Sequence, residues 1–395
     1  MNNNLKILFI TPAYWPAVSY GGPIQSVKLL AEELKKQNNY VEILTLAYGL
    51  DKNKFEVKEV DGIKVNYLKY LRFHRWFVPI GLLKFLIRNK NNFDIFHINL
   101  IWDPISWLSG FILALNNKKF IISPRGTIEE ELIQKRSSLL KKILYDLLIK
   151  YIFHKTSGFH FTSNYEKEKF FEYTKIKNKS YVIIPNLFDV SEFQKKVDQN
   201  LLDKFNLKNK KYILYFGRIN WKKRLELLID AFCDFQKENK DFYLAIIGSR
   251  DENYFEKLKN KIKELNLEDK VILNGETITG DLKIALYQNA WCFVLPSISE
   301  NFGYVVVEAL ACKVPVIVSE NIGLNELLLK YNIDLIIKGE NYEELKTSLL
   351  KQLYKLFDVK LKEDIKNKAE ELILKEFNSE NLTKKFLNFY LSRLK

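Results

Sequence analysis

Residues 291–319, WCFVLPSISENFGYVVVEALACKVPVIVS, decide how the rest of the chain is read. Residues 291–295 are an apolar run of strand length, and Pro296 and Ser297 stop it. Ser299 and Asn301 are candidate caps for a helix, and Gly303 keeps side-chain bulk off its first turn. The helix runs through Val307, Glu308 and Ala309, and residues 315–318 read as the next strand. The unit is strand, loop, helix, strand, with Glu300 on the loop and Glu308 inside the helix. A separation of eight is a little over two helical turns, so the two carboxylates lie near one face. That face looks into the crevice beyond a strand's carboxyl end, where open α/β sheets bind ligands.

The same alternation fills the chain. Strand-like runs stand at 6–11, 41–46, 63–67, 93–99, 120–123, 159–162 and 181–184. A second series stands at 212–216, 243–248, 271–275, 292–296, 314–319 and 334–338. Helical periodicity separates many of them, as in 24–36 with Ile24, Val27, Leu30, Ala31 and Leu34. Repeated strand-then-helix order implies parallel sheets with right-handed crossovers. The expected fold class is α/β, with two Rossmann-like, doubly wound parallel-sheet domains facing a cleft. The first takes residues 1–190 and the second 206–378, joined by a polar connector at 185–209.

A length of 395 residues suits two or three domains, and 47% hydrophobic with 28% charged residues suits a globular chain in water. Cys233, Cys292 and Cys312 are far apart, which fits a reducing compartment and neither a disulfide framework nor a zinc site. The start, MNNNLKILFI, lacks the apolar core of a signal peptide, and no run reaches the ~20 residues that span a bilayer. The expected location is therefore cytoplasmic. The formal charge of +14 is uneven: residues 1–185 hold 28 Lys+Arg and 16 Asp+Glu, and the remainder is close to neutral. A basic half implies an acidic partner there, such as anionic lipid or an anionic substrate. Residues 135–155 read as a basic amphipathic helix, with Lys135, Arg136, Lys141 and Lys142 beside Leu139, Leu140, Ile143 and Leu147. Residues 71–90 add an aromatic and basic surface. A nucleic-acid partner is not expected, since zinc-finger spacing and ribonucleoprotein-type strands are missing.

Several residues carry chemistry by type and place. Gly21 and Gly22 sit in a glycine turn between a strand and a helix start, where N–H groups and the helix dipole can face a phosphate or sugar. Arg218 and Lys223, in GRINWKKR, follow a strand end. Arginine grips phosphate oxygens in a planar fork, and lysine acts as a point charge. Lys222 and Arg224 are expected to face solvent. His97 and Asn99 end one strand and Arg125 follows another, in SPRG. The run 189–193, DVSEF, holds no D-x-D metal motif, and no metal cage or cofactor site is evident.

The run E-N-F-G-x-x-x-x-E resembles the E-x7-E element of retaining glycosyltransferases of the two-domain GT-B fold, family 4. The match continues through Ala309, Pro315, Val316, Gly323 and Glu326, and GRINWK is similar to the family's G-R-x-x-x-x-K. The resemblance covers nearly the whole chain, most specifically 212–326. It implies an enzyme that moves a sugar from a nucleotide diphosphate donor to a sugar acceptor, one carried on a lipid and destined for a surface polysaccharide or oligosaccharide. It implies that Arg218 and Lys223 bind the diphosphate, Glu308 the ribose and Glu300 the transferred sugar, with N–H groups of Asn301, Phe302 and Gly303 in support. The loop with Gly21 and Gly22 then approaches the donor, and residues 379–395 cross back to the first domain. Relatives carry H-x-H where this chain has His97 and Asn99, and asparagine cannot serve as a base. The reacting-centre candidates are thus Glu300, Arg218, Lys223, Asn99 and Arg125, without metal or cofactor, at the inner face of an anionic membrane. Other enzymes on this fold, a nucleotide-sugar epimerase or a pyridoxal-phosphate phosphorylase, are the alternatives.

Overall fold

The computed structural model describes residues 4–17, 22–50, 56–73, 76–128 and 143–395. The chain divides into two compact units, residues 1–188 with 378–395, and residues 189–377. The first holds 32 Lys+Arg and 17 Asp+Glu, the second 30 and 31, so the entire net positive charge lies on the first.

The first unit contains β1 (Lys6–Ile10), β2 (Tyr40–Leu46), β3 (Glu56–Val60), β4 (Ile63–Leu68), β5 (Tyr70–Phe73), β6 (Trp76–Pro79), β7 (Ile95–Asn99), β8 (Phe120–Ser123), β9 (Gly158–Phe161) and β10 (Tyr181–Ile183). Eight of these form one sheet in the order β10-β9-β8-β7-β1-β2-β4-β3, parallel except for the β3–β4 pair. Central strands such as β7 and β8 are buried at every position, which is why they read as mostly apolar runs and not as alternation, with His97, Asn99 and Ser123 as buried polar exceptions. Helix Gly22–Lys36 buries Ile24, Val27, Leu30, Ala31 and Leu34, the stripe its periodicity predicts. Helix Ser379–Leu394 belongs to this unit and buries Leu382, Phe386, Phe389 and Tyr390 in the same core. Strand β3 and the antiparallel β5–β6 hairpin were not anticipated. Exposed charges in β3 and aromatic residues in the hairpin blur the period-two signal there.

The second unit is a six-stranded parallel sheet of β11 (Lys211–Phe216), β12 (Phe242–Ile247), β13 (Val271–Asn274), β14 (Cys292–Leu295), β15 (Val316–Ser319) and β16 (Ile336–Ile337), ordered β13-β12-β11-β14-β15-β16. Chain order reverses between β11 and β14, a switch point of the kind at whose carboxyl ends open α/β sheets bind ligands. Residues 189–209, expected as a connector, are part of this unit. Phe193, Leu202, Phe205 and Leu207 are buried, and Asp189 caps a short helix, Val190–Gln194. Polar spacing hid these four apolar anchors. Gly248 is required by close approach: a Cβ there would stand 2.0 Å from the Gly217 carbonyl oxygen, where loops after β11 and β12 touch.

A buried polar chain ties the last helix of the first unit to its sheet. His160 Nε2 lies 2.9 Å from the Ile184 carbonyl oxygen, which can only accept, so this nitrogen carries the proton. Its Nδ1 therefore accepts from Ser123 Oγ at 2.7 Å. Ser123 in turn accepts from His97 Nε2 at 2.6 Å, and His97 Nδ1 accepts from the Tyr390 hydroxyl at 2.6 Å. One carbonyl thus sets every proton along the chain, and both imidazoles are neutral. Burial first, then nearby positive charge, holds His97 well below its ordinary value and His160 down to about 3.

Candidate functional site

The switch point of the second unit gathers the residues expected at a donor site. Tyr215 is buried, and its hydroxyl donates to the Arg218 carbonyl at 2.7 Å, fixing the backbone as it leaves β11. Arg218 is exposed and its guanidinium has no side-chain partner among the described residues. Asn220 then caps a short 3-10 turn, Trp221–Lys223, and Arg224 adopts a left-handed backbone before helix Leu225–Glu238 begins. Lys222 and Arg224 are half-buried, which departs from the expectation that they face solvent. Ile298 N–H donates to the Lys222 carbonyl at 2.8 Å, so the loops after β11 and β14 are bonded to each other.

Across that bond, Lys223 Nζ pairs with Glu300 Oε2, and both side chains are largely shielded. The two residues assigned to diphosphate and sugar are therefore neighbours. Glu300 is held from both sides, its N–H donating to Asn321 and its carbonyl accepting from Gly323, each at 2.9 Å. Neither Ser299 nor Asn301 caps the next helix. Gly303 occupies the N-cap of Tyr304–Ala311 with a left-handed backbone (φ 91°), which leaves its carbonyl free to accept from Val306 and Val307. The N–H groups of Phe302 and Gly303 find no acceptor among the described residues, so they remain as donors at a helix start. The Phe302 ring itself is core, packed on Phe377 and Tyr304, so any ligand contact from this residue is through its backbone. Glu308 lies within the helix and is 4% exposed. Its carboxylate accepts from Lys283 Nζ at 2.5 Å and from the Tyr287 hydroxyl at 2.8 Å, two partners the motif did not announce.

In the first unit, β1 and β7 flank the corresponding switch point. Gly22 opens helix Gly22–Lys36, while Gly21 lies outside the described residues. Arg125, 8% exposed and left-handed (φ 57°), donates to Asn99 Oδ1 at 3.1 and 2.9 Å, to Ser26 Oγ at 2.7 Å, and to Asn186 Oδ1. Asn99 is fully buried and its carboxamide oxygen accepts from Arg125, so it holds the guanidinium in place. Ser26 and Asn186 were not singled out, because neither stands in a charged or glycine-rich motif. Glu166 was also missed. It accepts from Gly126 N–H at 2.8 Å and from Thr162 N–H at 2.7 Å, pinning the loop that carries Arg125. Its signal was present: Ser163 and Glu166 have the spacing of a capping box, and Ser163 Oγ accepts from Glu166 N–H at the start of helix Asn164–Thr174. His97 and His160 belong to the buried chain, His154 is exposed, and His74 lies outside the described residues. Among the described residues no group of three or more His, Cys, Asp or Glu could hold a metal ion.

Of the expected basic helix at 135–155, residues 143–155 are described; Lys135, Arg136, Leu139, Leu140, Lys141 and Lys142 lie outside them. The described part includes a π-helical turn, Tyr145–Ile149, followed by Lys150–Lys155. Ile149, Ile152 and Phe153 are buried in the unit's core, whereas Leu147 is 77% exposed.

Two doubly wound sheets, each with candidate ligand groups at the carboxyl ends around its switch point, have the sheet architecture of the GT-B fold. The family described as Glycosyl transferases group 1 matches residues 197–372, and the one described as Glycosyltransferase Family 4 matches residues 20–192. The chain belongs to the family 4 glycosyltransferases. It is 26% identical over 400 residues to the alpha-monoglucosyldiacylglycerol synthase of Streptococcus pneumoniae, covering 99% of this chain and 86% of that one. Among solved structures, it shares its fold with the sucrose-phosphate synthase of Thermosynechococcus elongatus (TM-score 0.75, 20% identity, 98% of each chain). It also shares it with Anabaena HepE in complex with UDP and glucose (TM-score 0.72, 16% identity, 98% of this chain and 100% of that one).

Proposed function

We propose that this glycosyltransferase takes its sugar from a nucleotide diphosphate donor, with retention of configuration and without a metal ion, and delivers it to a sugar acceptor carried on a lipid. One observation carries the reading. Arg218, the Lys223–Glu300 pair and the unengaged N–H groups of Phe302 and Gly303 stand on the loops beyond the carboxyl ends of β11 and β14. Breaking the sugar–phosphate bond leaves negative charge on the diphosphate, and fixed cations and N–H donors aimed at that charge lower the barrier. Arg218 and Lys223 supply the cations that a divalent ion supplies elsewhere. Glu300, held close to Lys223, accepts from hydroxyls of the sugar, and Glu308 accepts from the ribose. No side chain at this cluster is a free nucleophile. The reading is therefore a front-face displacement in which the departing phosphate oxygen takes the acceptor hydroxyl's proton. Arg125, held by Asn99, Ser26 and Asn186, is the first unit's contact for the acceptor or for phosphate. Activity should survive EDTA; complete loss, restored by Mg²⁺ or Mn²⁺, would overturn the metal-independent part. The anomeric configuration of the product, read by proton NMR, tests retention: an inverted product refutes it.

The acceptor side is read as peripheral at an anionic membrane, on the cytoplasmic side. The β5–β6 hairpin and the helix that follows it, Leu82–Asn89, support this. Leu71, Phe73 and Leu83 are 63%, 76% and 61% exposed, beside Arg72, Lys84 and Arg88. Apolar side chains of this kind enter a headgroup region while the basic ones meet anionic lipid, at about 1 kcal/mol each. No helix among the described residues is long and apolar enough to cross a membrane. Association with vesicles should rise with anionic lipid, fall with salt, and weaken when Leu71, Phe73 and Leu83 are changed to serine. Equal association with neutral and anionic vesicles, or none with either, would count against this surface and favour an acceptor free in water.

A further inference from the structure

Glu308 is set among partners that the family motif does not specify. Lys283 and Tyr287 stand four apart on helix Gly280–Gln288, so both reach the same carboxylate from one helix face. Lys283 takes one oxygen and Tyr287 the other. The ammonium is itself caged: it lies 5.3 Å from the Phe193 ring centroid and 5.4 Å from that of Phe216. The lysine and glutamate side chains are 20% and 5% exposed, so solvent screens the pair little. The other titratable group facing the carboxylate is the Cys312 thiol, just past the end of its own helix, which burial pushes up to about 12. The short helix Val190–Gln194 contributes the Phe193 ring, and β14 contributes Phe293 against the Tyr287 ring.

We infer that Lys283 is a positioning residue for donor binding: its caged ammonium is the countercharge that holds the Glu308 carboxylate oriented for the ribose hydroxyls. An ionised carboxylate offers about four acceptor positions, of which Lys283 and Tyr287 occupy two. The remaining two match a pair of vicinal hydroxyls, and a protonated carboxyl matches them poorly because it must donate one bond. The inference rests on the proposed reading of Glu308 as the ribose ligand.

The two ideas separate experimentally. Among UDP, GDP and ADP, the one that the wild type binds most tightly is titrated calorimetrically from pH 6 to pH 8. Wild-type affinity should change little across that range. In Lys283→Met a buried carboxylate has lost its countercharge, which favours its protonated form. Affinity of this variant should fall by roughly tenfold from pH 8 to pH 6. Lys283→Arg should restore the flat profile, and Glu308→Gln should bind weakly at every pH. The 2′,3′-dideoxy form of the same nucleotide should bind Lys283→Met and wild type alike. A flat profile in Lys283→Met, with Glu308→Gln still weak, overturns the inference and leaves the ribose reading standing. Unimpaired binding by Glu308→Gln, or no binding of any of the three nucleotides to the wild type, overturns both. An affinity loss in Lys283→Met that is independent of pH and shared by the dideoxy nucleotide reduces Lys283 to a packing residue and also overturns the inference.

Discussion

Arg218→Ala lowers turnover by roughly 10²–10³, about 3 to 4 kcal/mol of barrier, the range seen when one preorganised donor to developing charge is removed. The guanidinium is exposed and has no side-chain partner among the described residues, so its loss leaves no buried group unpaired and the fold should be untouched. If the contact forms chiefly as charge grows on the departing diphosphate, kcat and kcat/KM fall together. Lys223→Ala behaves differently, because it also strips Glu300 of its partner. Its loss should include weaker donor binding as well as slower turnover. Steady-state kinetics with thermal unfolding as a control decide the matter. Near-normal activity in both variants would remove the diphosphate site from the crevice of the second unit.

Acid should destabilise the protein through the buried histidine chain, well before most carboxylates protonate. His97 and His160 are neutral when folded and held below the ordinary histidine value of 6.5, His160 down to about 3. A lowered folded value means that the unfolded chain binds protons first. The stabilisation is therefore complete above about pH 6.5 and is lost as pH falls toward about 3. A histidine held neutral through that window contributes a slope of up to about 1.4 kcal/mol per pH unit. Protonating either imidazole also removes an acceptor from the directional chain, which releases Tyr390 or Ser123. Urea unfolding followed at several pH values should show this slope in the wild type and a shallower one in His160→Gln. Identical slopes would mean that the histidines titrate normally and that the chain is not as drawn.

The parts of the fold legible in the sequence were those set by unbroken apolar runs. Strands β7, β8, β11, β12 and β14 are buried on both faces, and mostly apolar runs occupy that place. Edge elements were less legible. Strand β3 has charges on its open side, and the β5–β6 hairpin exposes apolar residues where a pattern predicts polar ones. At the candidate site, Arg218, Lys223, Glu300 and Glu308 were legible because they stand in short motifs beyond strand ends. Their supporting residues were not. Lys283, Tyr287, Phe193 and Phe216 converge on Glu308 from separate segments, and Ser26, Asn99 and Asn186 converge on Arg125. Long-range convergence leaves no periodic trace. It also explains why Asn99, conspicuous at the end of β7, turned out to serve Arg125, and why Gly303 displaced the polar caps expected before Tyr304.

The central claim is that the crevice between β11 and β14 binds the diphosphate of a nucleotide sugar. The most direct measurement is the thermal unfolding midpoint of the wild type and of Arg218→Ala against a panel of nucleoside diphosphates and their sugars. Ligand at a hundred times its dissociation constant adds about 2.7 kcal/mol to the folded state. The account predicts a clear rise for one base with the wild type, much reduced in Arg218→Ala and unchanged by EDTA. A panel that moves neither protein, or that moves both equally, would contradict it.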